Sequence, residues 1–87
     1  MANSLIVKSN PARSVLNTVI NKARRGVSKR DLKIVAVELG AYEGAFECDV
    51  NLIVSAIDEN PRKTLVEGLE EVLAWFWKMD VIESKGC

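Results

Sequence analysis

The chain has 87 residues, 48% of them hydrophobic and 28% charged, with twelve Lys/Arg balanced by twelve Asp/Glu and no histidine. A chain of this length buries roughly 60–65% of its unfolded surface in one modest core and leaves nothing for a second domain. No apolar run approaches the roughly 20 residues that span a bilayer, and the lack of histidine removes the commonest general base near neutral pH and the commonest metal ligand.

The zero net charge hides an asymmetry. Residues 1–33 hold eight Lys/Arg against Asp31, for +7, whereas residues 34–87 hold eleven acids against Arg62, Lys63, Lys78 and Lys85, for −7. Met1 to Ser9 has no basic region followed by a long apolar stretch, so no secretory signal is expected and the protein reads as cytoplasmic.

In chain order, Leu5-Ile6-Val7 is a short β-favouring run and reads as a first strand. Asn10-Pro11 opens a helix, because Asn is a favoured N-cap and Pro is tolerated at the first helical position. Val15, Leu16, Val19, Ile20 and Ala23 form its apolar stripe, with Arg13, Asn17, Asn21, Arg24 and Arg25 facing away or flanking. Gly26 ends it as a left-handed C-cap, with Lys22, Arg24 and Arg25 set against the helix dipole. Leu32 to Leu39 reads as a second strand with Val35, Val37 and Leu39 inward, and the two glycines of Gly40-Ala41-Tyr42-Glu43-Gly44 bracket a hairpin loop.

The returning strand is the most regular stretch. Along Phe46-Glu47-Cys48-Asp49-Val50-Asn51-Leu52 apolar and polar residues alternate, and Val54 and Ala56 continue the apolar phase. A period of two predicts a strand with one face buried. Cys48 lies on that buried phase and Cys87 is the last residue, so both are expected as free thiols. Asn60-Pro61 then opens the final helix, whose stripe is Leu65, Val66, Leu69, Val72, Leu73, Phe76 and Trp77. The expected fold is α+β: a single 1–87 domain, a β-α-β-β-α two-layer sandwich with both helices on one face of a three-stranded sheet, and residues 81–87 as a flexible tail.

Chemistry is hard to find in this chain. Its five glycines are isolated, Cys48 has no second cysteine within a few residues, and neither a phosphate loop nor a zinc site is spelled. Glu47 and Asp49 are better read as a solvated strand face than as a catalytic pair. The chain therefore reads as a non-enzyme with no cofactor and no small-molecule substrate.

Two features point to binding. The first is the basic segment Lys22, Arg24, Arg25, Lys29 and Arg30, extended by Lys33, which has the charge to neutralise several phosphates. No aromatic residue is interleaved with it to stack on bases, and helix ends attract such residues for dipole reasons alone. The second is the triplet Trp75-Phe76-Trp77, which spreads over about 200° of helix and so leaves Trp75 off the packed arc, beside the acidic Glu67, Glu70 and Glu71. The strand–helix–hairpin–helix order, ending in an acidic Trp-bearing helix (Glu70, Glu71, Trp75, Trp77, Asp80), resembles in architecture the small DNA-damage-inducible recombinase modulators. It carries no functional residue across.

The favoured reading is a small protein-interaction module of adaptor, modulator or inhibitor type, with Trp75, Glu67, Glu70, Glu71 and Ile53 as binding residues. Ile34, Ile53 and Ile57 fall on the wet phase of the sheet, which predicts a homodimer formed through that face. The alternative is a nucleic-acid-binding protein that uses residues 22–33.

Overall fold

The computed structural model describes the backbone of residues 11–82 and the side chains of residues 11–78. All regular structure among the described residues is helical. The elements are α1 (Pro11–Arg24), α2 (Lys29–Glu43), α3 (Glu47–Glu59) and α4 (Leu65–Ile82), the last entered through a 3₁₀ turn at Arg62–Thr64. Each helix packs on its neighbour in sequence and α4 closes back onto α1, with α1 and α3 touching more weakly across the diagonal. Among the described residues there is no strand, so the expected α+β sandwich gives way to a four-helix domain. The architectural resemblance to the recombinase modulators goes with it. The strand expected at Leu5–Val7 and residues 83–87 of the expected tail lie outside the described residues, and residues 81–82 belong to α4.

Helix α1 forms as its pattern predicts, with Val15, Leu16, Val19, Ile20 and Ala23 all buried. Gly26 takes φ +91°, which a side chain would strain, and closes the end: its N–H donates to the Ala23 carbonyl at 3.0 Å and that of Val27 to Lys22 at 3.1 Å.

The sequence pattern predicts strands where the two inner helices lie, and local signals explain why helix wins. Ser28 accepts the N–H of Asp31 at 3.2 Å, an N-cap three residues ahead of an acid. Leu32, Ala36 and Gly40 are buried and Val35 and Leu39 half-buried, which is one stripe at i, i+3, i+4, i+7 and i+8. Gly44 ends α2 at φ +77°, donating to the Ala41 carbonyl while Ala45 donates to Gly40 at 2.9 Å. The glycines read as a hairpin bracket thus do different work. Gly44 is a helix cap, and Gly40 lets α3 close in, since a Cβ there would sit 2.5 Å from Val50 Cγ2.

In α3 the helical period mixes the two faces of the expected strand: Val50 and Ala56, placed inward, are buried. Ile53 and Ile57, placed on the wet phase, are fully buried, while Phe46 and Leu52, placed inward, are exposed. The alternation stops at Leu52-Ile53-Val54, and from Val50 onward the buried set Val50, Ile53, Ala56 and Ile57 recurs at helical spacing. Glu47 and Asp49 favour the helix N-terminus through its dipole. The β-branched residues oppose helix by only a few tenths of a kcal/mol each, roughly, and packing overrides that.

Several side chains also depart from expectation. Asn60 does not cap α4. Its backbone is extended and its amide donates back to the Ala56 carbonyl at 2.9 Å, ending α3. Arg13, expected on an outer face, is buried with its guanidinium 3.7 Å from the centroid of Trp77. Cys48 is disulfide-bonded rather than a free thiol, and the expectation for Cys87 lies outside the described residues. Because the Ser28 hydroxyl begins α2, Ser28→Ala is expected to cost about 1 kcal/mol, measured by urea unfolding, with Ser28→Asp restoring most of it.

Candidate functional site

Where α3 and α4 lie side by side, small residues leave a cleft between them. Ala56 stands on one helix and Gly68 on the other, and the Asn60 side chain fills the space a Cβ at Gly68 would need. Leu52 and Trp75 stand toward one end, Val72 along the wall, and Glu59 and Glu71 at the rim. The cleft is open to solvent and measures about 310 Å³. From Gly68 to Trp75 it follows α4 for two turns, or roughly 10 Å.

Trp75 is the dominant side chain here. It is 46% exposed although its neighbour Phe76, whose ring centroid lies 5.8 Å away, is 1% exposed in the core. The two cannot share an environment because consecutive helical residues point about 100° apart. Trp77 is also exposed, but it covers Arg13 on another side of α4. The arrangement offers an apolar wall, a broad aromatic face and acidic oxygens at the edge.

The remaining acidic residues fall elsewhere. Glu67 and Glu70 are exposed on α4 but do not line the cleft, and Glu70 is ion-paired with Arg24 of α1. That pair joins the basic segment to the acidic helix, and the charge asymmetry along the chain is thereby partly folded onto itself. Ile53, expected to meet a partner, is 0% exposed and belongs to the core.

The basic segment is similarly divided. Lys29 donates to the backbone carbonyls of Asn60 at 3.0 Å and Asp58 at 3.4 Å, and Lys33 pairs with the Asp58 carboxylate at 2.8 Å. These cations hold the C-terminal end of α3, where the helix dipole favours them. Arg62, which the sequence did not single out, does the same for α1 by donating to Val27 at 2.8 Å and Ala23 at 3.4 Å. Lys22, Arg25 and Arg30 make no ion pair among the described residues.

Among the described residues no group of three or more Cys, Asp or Glu is placed to hold a metal ion, and no helix is long and apolar enough to cross a membrane. Glu47 and Asp49 both lie in the first turn of α3, two residues and thus about 200° apart, and do not converge on one site. The cleft's own signal was present in the sequence as Ala56 and Gly68 beside Leu52, Val72 and Trp75, but only a helical α3 brings it together. No family model, curated protein or solved structure matches the chain.

Proposed function

We propose that the protein is a small non-catalytic interaction module whose α3–α4 cleft receives one apolar helix face flanked by basic residues. The observation that carries this reading is Trp75, half in solvent on the wall of an apolar cleft rimmed by Glu59 and Glu71. Large apolar faces with a polar rim are how helix-in-groove recognition works, and Trp is enriched among residues that anchor it. Action as an adaptor, modulator or inhibitor follows from occupancy of the cleft and needs no cofactor.

The nucleic-acid reading has less support. Arg24 and Lys29 are already engaged within the domain, as is Lys33, which leaves Lys22, Arg25 and Arg30 as the solvated cations of the segment.

The test uses a Trp77→Phe chain, in which Trp75 is the remaining indole and Arg13 keeps an aromatic neighbour. Titration with an amphipathic Leu/Lys helical peptide is expected to shift the Trp75 emission to the blue, and a Leu/Glu peptide of the same pattern to leave it unchanged. Equal responses to both peptides, or to neither, would count against an acidic-rimmed cleft.

A further inference from the structure

We infer that a disulfide between Cys48 and Cys87 gates the Trp75 end of the α3–α4 cleft, closing it to a long occupant when oxidised and opening it when reduced. This rests on the interaction reading above and supplies the regulation of the same site.

The first observation is the bond. Cys48 is disulfide-bonded, and the chain holds one other cysteine, Cys87. Within a single chain the count leaves Cys87 as the partner.

The second observation is where Cys48 stands. Leu52, Ala56 and Glu59 line the cleft from α3. Cys48 precedes Leu52 by four residues, so it lies one turn, about 6 Å, further along the same face, and it is half-buried. Asn60 meets Gly68 at one end of the cleft, while Leu52 and Trp75 share the other. The two helices are therefore antiparallel, and Cys48 continues the α3 wall just past Trp75. The Asn60 end is bounded by the Asn60 side chain and the connection into α4. An occupant longer than the cleft must overrun it at the Cys48 end.

The third observation is reach. Helix α4 ends at Ile82, about 10 Å beyond Trp75 and at the same end of the bundle as the start of α3. Packed helix axes lie about 8–10 Å apart, and the five residues from 83 to 87 span up to about 17 Å. Cys87 can therefore meet Cys48 with both helices unchanged. A disulfide holds its two Cα atoms within about 7 Å. Bonded in this way, Cys87 lies against the outer side of α3, across the path that a helix in the cleft would follow past Trp75.

The switch needs only a low-molecular-weight thiol. One thiolate attacks a Sγ of the bridge and forms a mixed disulfide, while the other Sγ leaves as a thiolate. A second thiolate then releases the first cysteine. The bridge gains two electrons and two protons, and the two small thiols become one small disulfide. The same exchange run backwards closes the bridge again.

After incubation with oxidised glutathione, peptide mapping by mass spectrometry without reduction is expected to recover the Cys48 and Cys87 peptides linked to each other. Two free thiols, or a Cys48–Cys48 link between chains, would overturn the inference. Anisotropy of a labelled Leu/Lys peptide reads the gate. A five-turn peptide, about 27 Å long, is expected to bind the reduced chain about tenfold more tightly than the oxidised one. A stapled two-turn peptide, about 11 Å long, ends at Trp75 and is expected to bind both forms alike. Cys87→Ser is expected to bind the five-turn peptide as the reduced parent does, with or without oxidant, and circular dichroism checks that its helices are retained. Equal binding of the five-turn peptide to oxidised and reduced parent overturns the gate and leaves the cleft reading standing. A reduced chain that binds neither peptide overturns both.

Discussion

Ile53→Lys is expected to unfold the domain. The side chain is 0% exposed within a cluster that includes Leu16, Leu32, Ile57 and Phe76. An ammonium group there loses its hydration without a partner, or gives up its proton at a cost, while the displaced aliphatic contacts are lost too. The total exceeds about 4 kcal/mol, a large share of the stability of a small domain, which lies near the low end of roughly 5–15 kcal/mol. The informative control is the next residue. Leu52 is 41% exposed, so Leu52→Lys is expected to stay within about 0.5 kcal/mol of the parent in dilute solution. Thermal unfolding followed by circular dichroism reads both. A half-buried strand at this position, with Leu52 inward and Ile53 wet, would give the opposite order.

A second contrast separates stability from recognition within one turn of α4. Phe76→Ala removes a ring that is 1% exposed and is expected to cost about 3–5 kcal/mol through lost contacts and the cavity left behind. Trp75→Ala removes a ring already half in solvent, so its stability cost is expected to stay near about 1 kcal/mol. Binding should reverse the ranking. Loss of Trp75 is expected to abolish binding of the Leu/Lys peptide, followed here by a fluorescent label on the peptide because Trp75 is itself the reporter, since it is the largest apolar surface on the cleft wall. Urea unfolding and titration with the labelled peptide on the two variants decide it. Loss of association without loss of fold is the signature of a recognition residue.

The outer helices were legible in the sequence and the inner ones were not, for a physical reason. Stripes such as Val15, Leu16, Val19, Ile20 and Ala23 cannot be accommodated by a period of two, and Gly26 marks the end. In Leu32 to Leu39 the apolar residues run almost without a break, so both periods find a match and β-branched content tips the reading toward strand. The deciding signals were short: Ser28 three residues before Asp31, and Gly44 just past the stripe that ends at Gly40. In α3 the alternation of residues 46–52 was real, but it arises because Phe46 and Leu52 are apolar residues on a solvent-facing helix surface. The same exposure that misleads the pattern supplies Leu52 to the cleft. Trp75 is identifiable from its angle on α4, whereas the company it keeps depends on α3, whose pattern predicts a strand.

All of this turns on residues 32–39 and 47–58 being helical, and backbone chemical shifts from triple-resonance NMR test that residue by residue. The expected result is an unbroken run of downfield Cα shifts across both segments, with NOEs between each Hα and the amide proton three residues on. Upfield Cα shifts with Hα–Hα NOEs linking Val35 or Val37 to residues 48–54 would describe a hairpin, and would contradict the bundle and the cleft together.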